Sequence, residues 1–310
     1  MQAGAAGGDL VDAAPRPIGA SGLECGPVGF GLWRYVRHDV DHARRLLEVA
    51  LDVGLTLVDA ADVYGLDWGG AGFGAVEDLI GRVLADAPEL RERMVLATKG
   101  GIRPGVPYDS SPAGLRAACE ASLRRLRVEV IDLYQVHRPD LFTHPADVAA
   151  TLAALREEGK VREVGVSNHT PAQTEALAAH LRDAGVPLAS TQPELSVAHL
   201  DPLRDGTLDL AQRDGLAVLA WSPLAGGRMV SGEGLRPELV EVLDRLAARE
   251  GVDRAAVAIA FVLAHPSRPV ALVGSQQPER LRAAARAVEV RLDRRDVYDL
   301  VQASEGAPLP

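Results

Sequence analysis

At 310 residues, 47 % hydrophobic and 25 % charged, the chain has the composition of an ordinary globular protein with a sizeable core. Its 33 Lys and Arg against 43 Asp and Glu leave a formal charge of −10 with no basic run, which argues against nucleic acid or an anionic membrane as partner. No apolar run reaches the ~18 residues of a membrane span, and two cysteines, Cys25 and Cys119, without CxxC or Cys/His metal spacing, speak for a reducing, cytoplasmic setting and against a metal site.

Met1 to Pro17, rich in Ala, Gly and Pro, lacks the basic and apolar regions of a signal peptide, and the expectation is a flexible leader (1–17) ahead of one domain over 18–310. Val28 to Trp33 predicts a first strand, β1. Asp39 offers an N-cap to a helix with an apolar face of Leu46, Leu47, Ala50 and Val53, closed by Gly54. Leu55 to Ala60 is β2, followed by a polar, Gly-rich loop and a helix from Ala75 that Pro88 stops. Val95 to Lys99 is β3, and Ser111-Pro112 marks the start of its helix. Val130 to His137 is β4, with a helix over Ala146 to Glu158. Val164 to Ser167 is β5, and Thr170-Pro-Ala-Gln173 is a capping box. Leu188 to Pro193 is β6, with a helix expected from Leu203 to Arg213. Ala217 to Trp221 is β7, followed by helices over Pro237 to Arg249 and Arg254 to Leu263. Val270 to Gly274 is β8, its helix opened by Pro278, and a last helix covers Arg294 to Ala303.

Eight apolar strands alternating with amphipathic helices, undivided by any linker, predict a closed (β/α)8 barrel rather than an open sheet. In such a barrel the loops at the carboxyl ends of the strands carry the chemistry. Asp59 closes β2 with Tyr64 just beyond, Lys99 closes β3 and His137 closes β4. A tyrosine gives up its proton near pH 10, and an adjacent ammonium lowers that value. On this reading Lys99 acidifies Tyr64, Asp59 holds Lys99 charged and aimed, and neutral His137 orients a carbonyl. Taken singly, each residue has an ordinary structural reading; the grouping on adjacent strand ends carries the argument. Gly70-Ala-Gly72-Phe-Gly74-Ala75 fits GxGxxG/A nominally, but the residues between Asp59 and Gly69 separate it from the strand, so a loop is expected there. The histidines at 38, 42, 144, 180, 199 and 265 show no ligand spacing and are expected at the surface.

DAADVYG (59–65), ATKGG (97–101), YQVHRPD (134–140), GVSNH (165–169), Gln192, AWSPLAGG (220–227) and VGSQQPER (273–280) occur in an order and spacing that resembles the aldo-keto reductase superfamily. HRPD after β4 and DGTLD (205–209) before β7 are similar to a bacterial oxidoreductase subgroup. The resemblance spans residues 28 to 291. It implies reduction of an aldehyde or ketone by NAD(P)H, or the reverse, with Asp59, Tyr64, Lys99 and His137 as the catalytic set. It also implies that Ser167, Asn168 and Gln192 hold the nicotinamide carboxamide, and that Trp221 stacks on the ring. Ser222, Leu224, Gly226 and Arg228 would hold the pyrophosphate, and Gly274, Ser275 and Gln276 would line the cofactor after β8. Where relatives carry a basic residue and an asparagine, this chain has Gln276 and Ala284. Arg280 is then either the ligand of a ribose 2′-phosphate or a solvated surface residue, and NADP(H) is preferred over NAD(H) on the first alternative. Trp33 and Trp68 are expected beside the substrate, a small-molecule carbonyl of apolar or aromatic type, with packing of its loop onto the barrel the alternative for Trp68. The same resemblance admits a second class, an NADP(H)-binding regulatory subunit like the potassium-channel β-subunits.

Overall fold

The computed structural model describes residues 9–36 and 39–310. Eight parallel strands close into a barrel: β1 (Val28–Gly31), β2 (Leu57–Asp59), β3 (Val95–Gly100), β4 (Ile131–Val136), β5 (Val161–Ser167), β6 (Ser190–Gln192), β7 (Ala217–Ala220) and β8 (Val270–Val273). Each pairs with its sequence neighbours and β8 returns to β1, with Ala271 opposite Val28 and Val273 opposite Phe30. The order is that of the (β/α)8 barrel expected from the alternation.

The helices start and stop on local signals. Asp39 accepts from the His42 N–H and opens α1 (Val40–Asp52), and left-handed Gly54 lies just beyond its end. α2 (Ala75–Asp86) begins after the loop that carries the nominal GxGxxG pattern. Ser111 caps α3 (Pro112–Leu126), His144 caps α4 (Pro145–Glu157), and the Thr170/Gln173 capping box opens α5 (Pro171–Asp183). The helix expected over 203–213 is divided instead. A single turn at Asp201–Leu203 is followed by Gly206 at φ +92°, and α6 runs from Thr207 to Asp214. A short α7 (Arg228–Ser231) precedes α8 (Pro237–Glu250) and α9 (Arg254–Leu263). α10 (Pro278–Ala285) and α11 (Arg294–Glu305) complete the shell. β6 is shorter than expected, because Pro193 has no N–H to give the ladder.

Alternate strand positions face two cores. Leu57, Val95, Ala97, Leu133, Ala189, Leu219, Val270 and Leu272 fill the barrel, while Val58, Leu96, Tyr134, Val164 and Val218 meet the helices. The expectation of a flexible leader over 1–17 needs correction where the chain is described. Arg16–Ile18 pairs antiparallel with Leu23–Cys25, and Ile18 and Cys25 join the inner core. The turn of this hairpin donates the Ala20 and Ser21 N–H groups to Glu163 Oε1, at 2.9 and 2.7 Å. Upstream, Leu10 N–H donates to Leu292 O and Asp12 pairs with Arg268 at 2.8 Å. Residues 1–8 and His38 lie outside the described residues. No helix among the described residues is long and apolar enough to cross a membrane.

Candidate active site

β2 and β3 are adjacent and in register, with Asp59 opposite Ala97. Their carboxyl ends therefore bring Asp59 and Lys99 together across the ladder. Lys99 is fully buried and Asp59 nearly so. The Lys99 Nζ donates to Asp59 Oδ2 at 2.7 Å, to Ala60 O at 2.8 Å and to Tyr64 Oη at 3.1 Å. An ammonium has three protons, and all three have acceptors. The Nζ also lies 4.9 Å from the Tyr64 ring centroid. The second oxygen of Asp59 accepts from Gln192 Nε2 at 3.1 Å, so the amide expected at the cofactor also braces the ion pair from across the barrel.

Burial lowers the pKa of Lys99, but Asp59 and Tyr64 outweigh it and leave the ammonium more basic than usual. Tyr64 corrects the sequence reading. Burial raises its pKa above 10.0, and the opposing pull of Lys99 does not cancel that effect together with the nearby carboxylates of Asp59 and Asp62. The resting phenol is thus firmly protonated rather than acidified.

His137 follows β4, tied to β3 by its N–H to Gly100 O at 2.9 Å. Its ring stands edge-on to Tyr64 with centroids 6.0 Å apart. Burial, then Lys99 and Arg138, hold its pKa well below 6.5, so the imidazole is neutral. Its Nδ1 has no hydrogen-bond partner among the described residues.

The residues after β5 to β7 form one connected set. Asn168 sits at φ +58°. Its Nδ2 donates to Ser167 Oγ at 2.9 Å and His137 O at 3.1 Å, while its Oδ1 accepts from Trp221 Nε1 at 3.0 Å. The Ser167 hydroxyl donates to Gln192 O at 3.0 Å. The Asn168 side chain thereby fixes the Trp221 indole. Beyond β7, Ser222, Ala225, Gly226 and Gly227 all take positive φ, and the Gly226 N–H donates to Ser222 Oγ at 3.2 Å. A side chain at Gly226 or Gly227 would meet open space, so an anionic group can approach the backbone there. Leu224 is half-buried against the core, and exposed Arg228 donates its Nε to Ala225 O at 3.1 Å.

Past β8, Gln276 Nε2 donates to Gly274 O at 3.1 Å, and Ser275 Oγ accepts from Gln277 N–H at 3.3 Å. Arg280 stands exposed in the first turn of α10 and forms no ion pair among the described residues. Trp33 and Trp68, 41 % and 47 % exposed, meet edge to face at 5.8 Å. Sequence spacing did not single out Arg34. Its guanidinium lies 4.3 Å over the Trp68 ring and donates to Gly226 O at 3.1 Å, tying three loops together. A basic residue directly after Trp33 was the only available signal. Among the described residues no group of three or more His, Cys, Asp or Glu could hold a metal ion.

A closed parallel barrel with an ordered Asp–Lys–Tyr–His set at the carboxyl ends of its strands defines a (β/α)8 enzyme. The chain belongs to the aldo/keto reductase family, whose model matches residues 27–305, and it is an oxidoreductase of the kind that acts on carbonyl compounds with NAD(P)H. It is 46 % identical over 299 residues to a 6-dehydroglucose reductase of Novosphingobium aromaticivorans, covering 95 % of this chain and 97 % of that one. A second 6-dehydroglucose reductase, from Agrobacterium fabrum, is 34 % identical, covering 90 % and 94 %. Among solved structures, the thermostable aldo-keto reductase Tm1743 in complex with epalrestat superposes with a TM-score of 0.79 at 25 % identity, covering 94 % of this chain and 99 % of that one.

Proposed function

We propose that the protein is a cytoplasmic, NADPH-preferring reductase of a sugar aldehyde, a hexose oxidised at its terminal carbon being the best match. The observation that carries the reaction is Lys99 Nζ, bonded at once to Asp59 and to the Tyr64 hydroxyl. Tyr64 donates the proton to the carbonyl oxygen as negative charge develops there. Lys99, held by Asp59 and through it by Gln192, stabilises the phenolate left behind. Neutral His137 donates a hydrogen bond to the same oxygen and sets the carbonyl in line.

The residues suit a dinucleotide. Gly226 and Gly227 leave the backbone open to a pyrophosphate, together with Ser222, Leu224 and Arg228. Gln192, Ser167 and Asn168 present amide and hydroxyl groups to a carboxamide, and Trp221 is braced to stack on the ring. Gly274, Ser275, Gln276 and Arg280 take the far end, where Arg280 at a helix N-terminus suits a 2′-phosphate. When bound, the reduced nicotinamide supplies the hydride.

For the substrate, the reading rests on the two 6-dehydroglucose reductases. The Trp33–Trp68 pair at the mouth offers aromatic faces that suit the C–H faces of a sugar as well as an aromatic ring. The test is turnover of 6-dehydroglucose, an aromatic aldehyde and an α-dicarbonyl, each with NADPH and NADH, followed at the reduced nicotinamide absorbance. The expected result is the highest kcat/KM for the sugar aldehyde with NADPH. A higher value for the aromatic aldehyde would remove the sugar, and no oxidation of either cofactor by any carbonyl would remove the reductase.

A further inference from the structure

The loop after β2 carries Tyr64 at its base and Trp68 at its tip. Its neck is closed: Gly72 N–H donates to Gly65 O at 3.0 Å, and a Cβ at Gly70 would collide with the same Gly65 carbonyl. At the tip, Gly70 N–H donates back to Asp67 O at 3.2 Å. The two residues between them, Trp68 and Gly69, both take positive φ, +61° and +71°. Such a turn favours Gly, Asn or Asp at its centre. A tryptophan there is strained, because its Cβ crowds the following carbonyl oxygen. Strain of this kind persists only where the surroundings hold it.

Two contacts from the loop after β1 brace it. Trp33 meets the Trp68 ring edge to face, and the half-buried Arg34 lays its guanidinium over the ring at 4.3 Å. The same guanidinium donates to Gly226 O at 3.1 Å. Gly226 belongs to the run after β7 in which Ser222, Ala225, Gly226 and Gly227 take positive φ, and paired glycines leave that backbone conformationally free. One side chain therefore spans from the loop that suits a pyrophosphate to the aromatic face that suits a sugar. The bond uses the Gly226 carbonyl, whereas an anion would take N–H groups, so a bound dinucleotide and the bridge do not compete for one atom.

We propose that Arg34 is a positioning residue that couples the two binding events: a dinucleotide that orders the Gly226 loop fixes the guanidinium, and the guanidinium fixes the strained Trp68 ring for the sugar. The inference rests on the reductase reading and deepens it, because it makes the sugar platform conditional on the cofactor. Without the bridge the turn at Trp68 relaxes and the ring leaves its place. Coupling between binding events is reciprocal, so a sugar seated on Trp68 tightens the dinucleotide by the same factor. Arg34 acts through Trp68, and its effect on the substrate disappears when the indole is gone.

The chain holds three tryptophans, Trp33, Trp68 and Trp221, so Trp33→Phe with Trp221→Phe leaves Trp68 as the sole indole emitter. In that background, saturation with NADP⁺, or with NAD⁺ if that binds better, is expected to lower the acrylamide quenching of Trp68. Arg34→Ala should remove this protection while calorimetry still shows the dinucleotide bound. In the chain with all its tryptophans, Arg34→Ala and Trp68→Gly should each raise KM for 6-dehydroglucose by about fivefold or more, a larger change than in kcat. The double variant should be no worse than the poorer single one, because both break the same bridge. Trp68→Gly also relieves the turn, so it keeps the cycle readable. Unchanged Trp68 quenching on dinucleotide binding, protection that survives Arg34→Ala, or additive losses in the double variant would overturn the coupling and leave the reductase intact. If neither dinucleotide binds the parent, the reductase reading falls, and the coupling with it. If 6-dehydroglucose is not turned over, the sugar reading falls and the quenching comparison decides the coupling.

Discussion

A phenol that must surrender one proton per turnover gains nothing by losing it in the resting state. Burial outweighs Lys99 and raises the Tyr64 pKa, and in the proposed mechanism Lys99 would act as charge develops on the phenol oxygen 3.1 Å away. Replacing Tyr64 by Phe removes that proton and little else. We expect kcat to fall by about 10²- to 10⁴-fold, with cofactor affinity nearly unchanged in a fluorescence titration; parent-like kcat would remove Tyr64 as the acid. His137 gives a pH signature. An unfolded histidine titrates near 6.5, and the folded one well below it. Between those values the unfolded chain holds the extra proton, so stability is present above pH 6.5 and declines on acidification. The contribution approaches ~1.4 kcal/mol per pH unit. His169 and His265 are shifted in the same direction by burial, so the measurement is the difference between the parent and His137→Gln in urea unfolding. The variant should show the shallower loss below pH 6.5.

At the scale of elements, the site depends on where helices begin and how closely they pack. α10 starts at Pro278, its Gln277 N-cap makes no side-chain capping bond, and Arg280, exposed in the first turn, forms no ion pair among the described residues. A charge-assisted contact from a guanidinium to a phosphate contributes ~1.5–3 kcal/mol. Arg280→Ala is therefore expected to weaken NADPH by about tenfold or more and leave NADH nearly unaffected; equal losses would place Arg280 away from the 2′-phosphate. The α2–α3 contact is similarly exacting. A Cβ at Gly81 would collide with the Arg125 carbonyl oxygen, and this close approach lets Arg125 reach Glu77 at 2.6 Å. α3 is thereby set against the loop that carries Tyr64.

Over the whole molecule, the two ends of the barrel have different tasks. The carboxyl-end mouth carries the polar constellation, and the opposite end is plugged by the hairpin of Arg16–Ile18 and Leu23–Cys25. Glu163, fully buried near the start of β5, ties that plug down through two backbone N–H groups. Glu163→Ala removes both charge-assisted bonds that hold the turn, at a cost of about 1.5–3 kcal/mol. We expect a lower urea midpoint with kcat/KM unchanged, because none of the mouth residues touches Glu163. A matching loss of turnover in the folded variant would contradict this division between stability at one end and chemistry at the other.

Eight strands in order were legible in the chain because each is an apolar run bounded by its own caps and breakers. Thr170 with Gln173, Ser111 before Pro112 and Gly54 after α1 are signals that need no distant partner. Asp59, Tyr64, Lys99 and His137 were legible for the same reason, since parallel closure carries every strand end to one mouth. The hairpins at 16–25 and 102–108 were not, because strands of two or three residues have no period to read. Nor could local pattern show that Gln192 would reach Asp59 from 133 residues away, or that Asn168 would aim Trp221. The direction of the Tyr64 shift was decided there too. A pKa sums burial against every neighbouring charge, and only the folded barrel sets those distances.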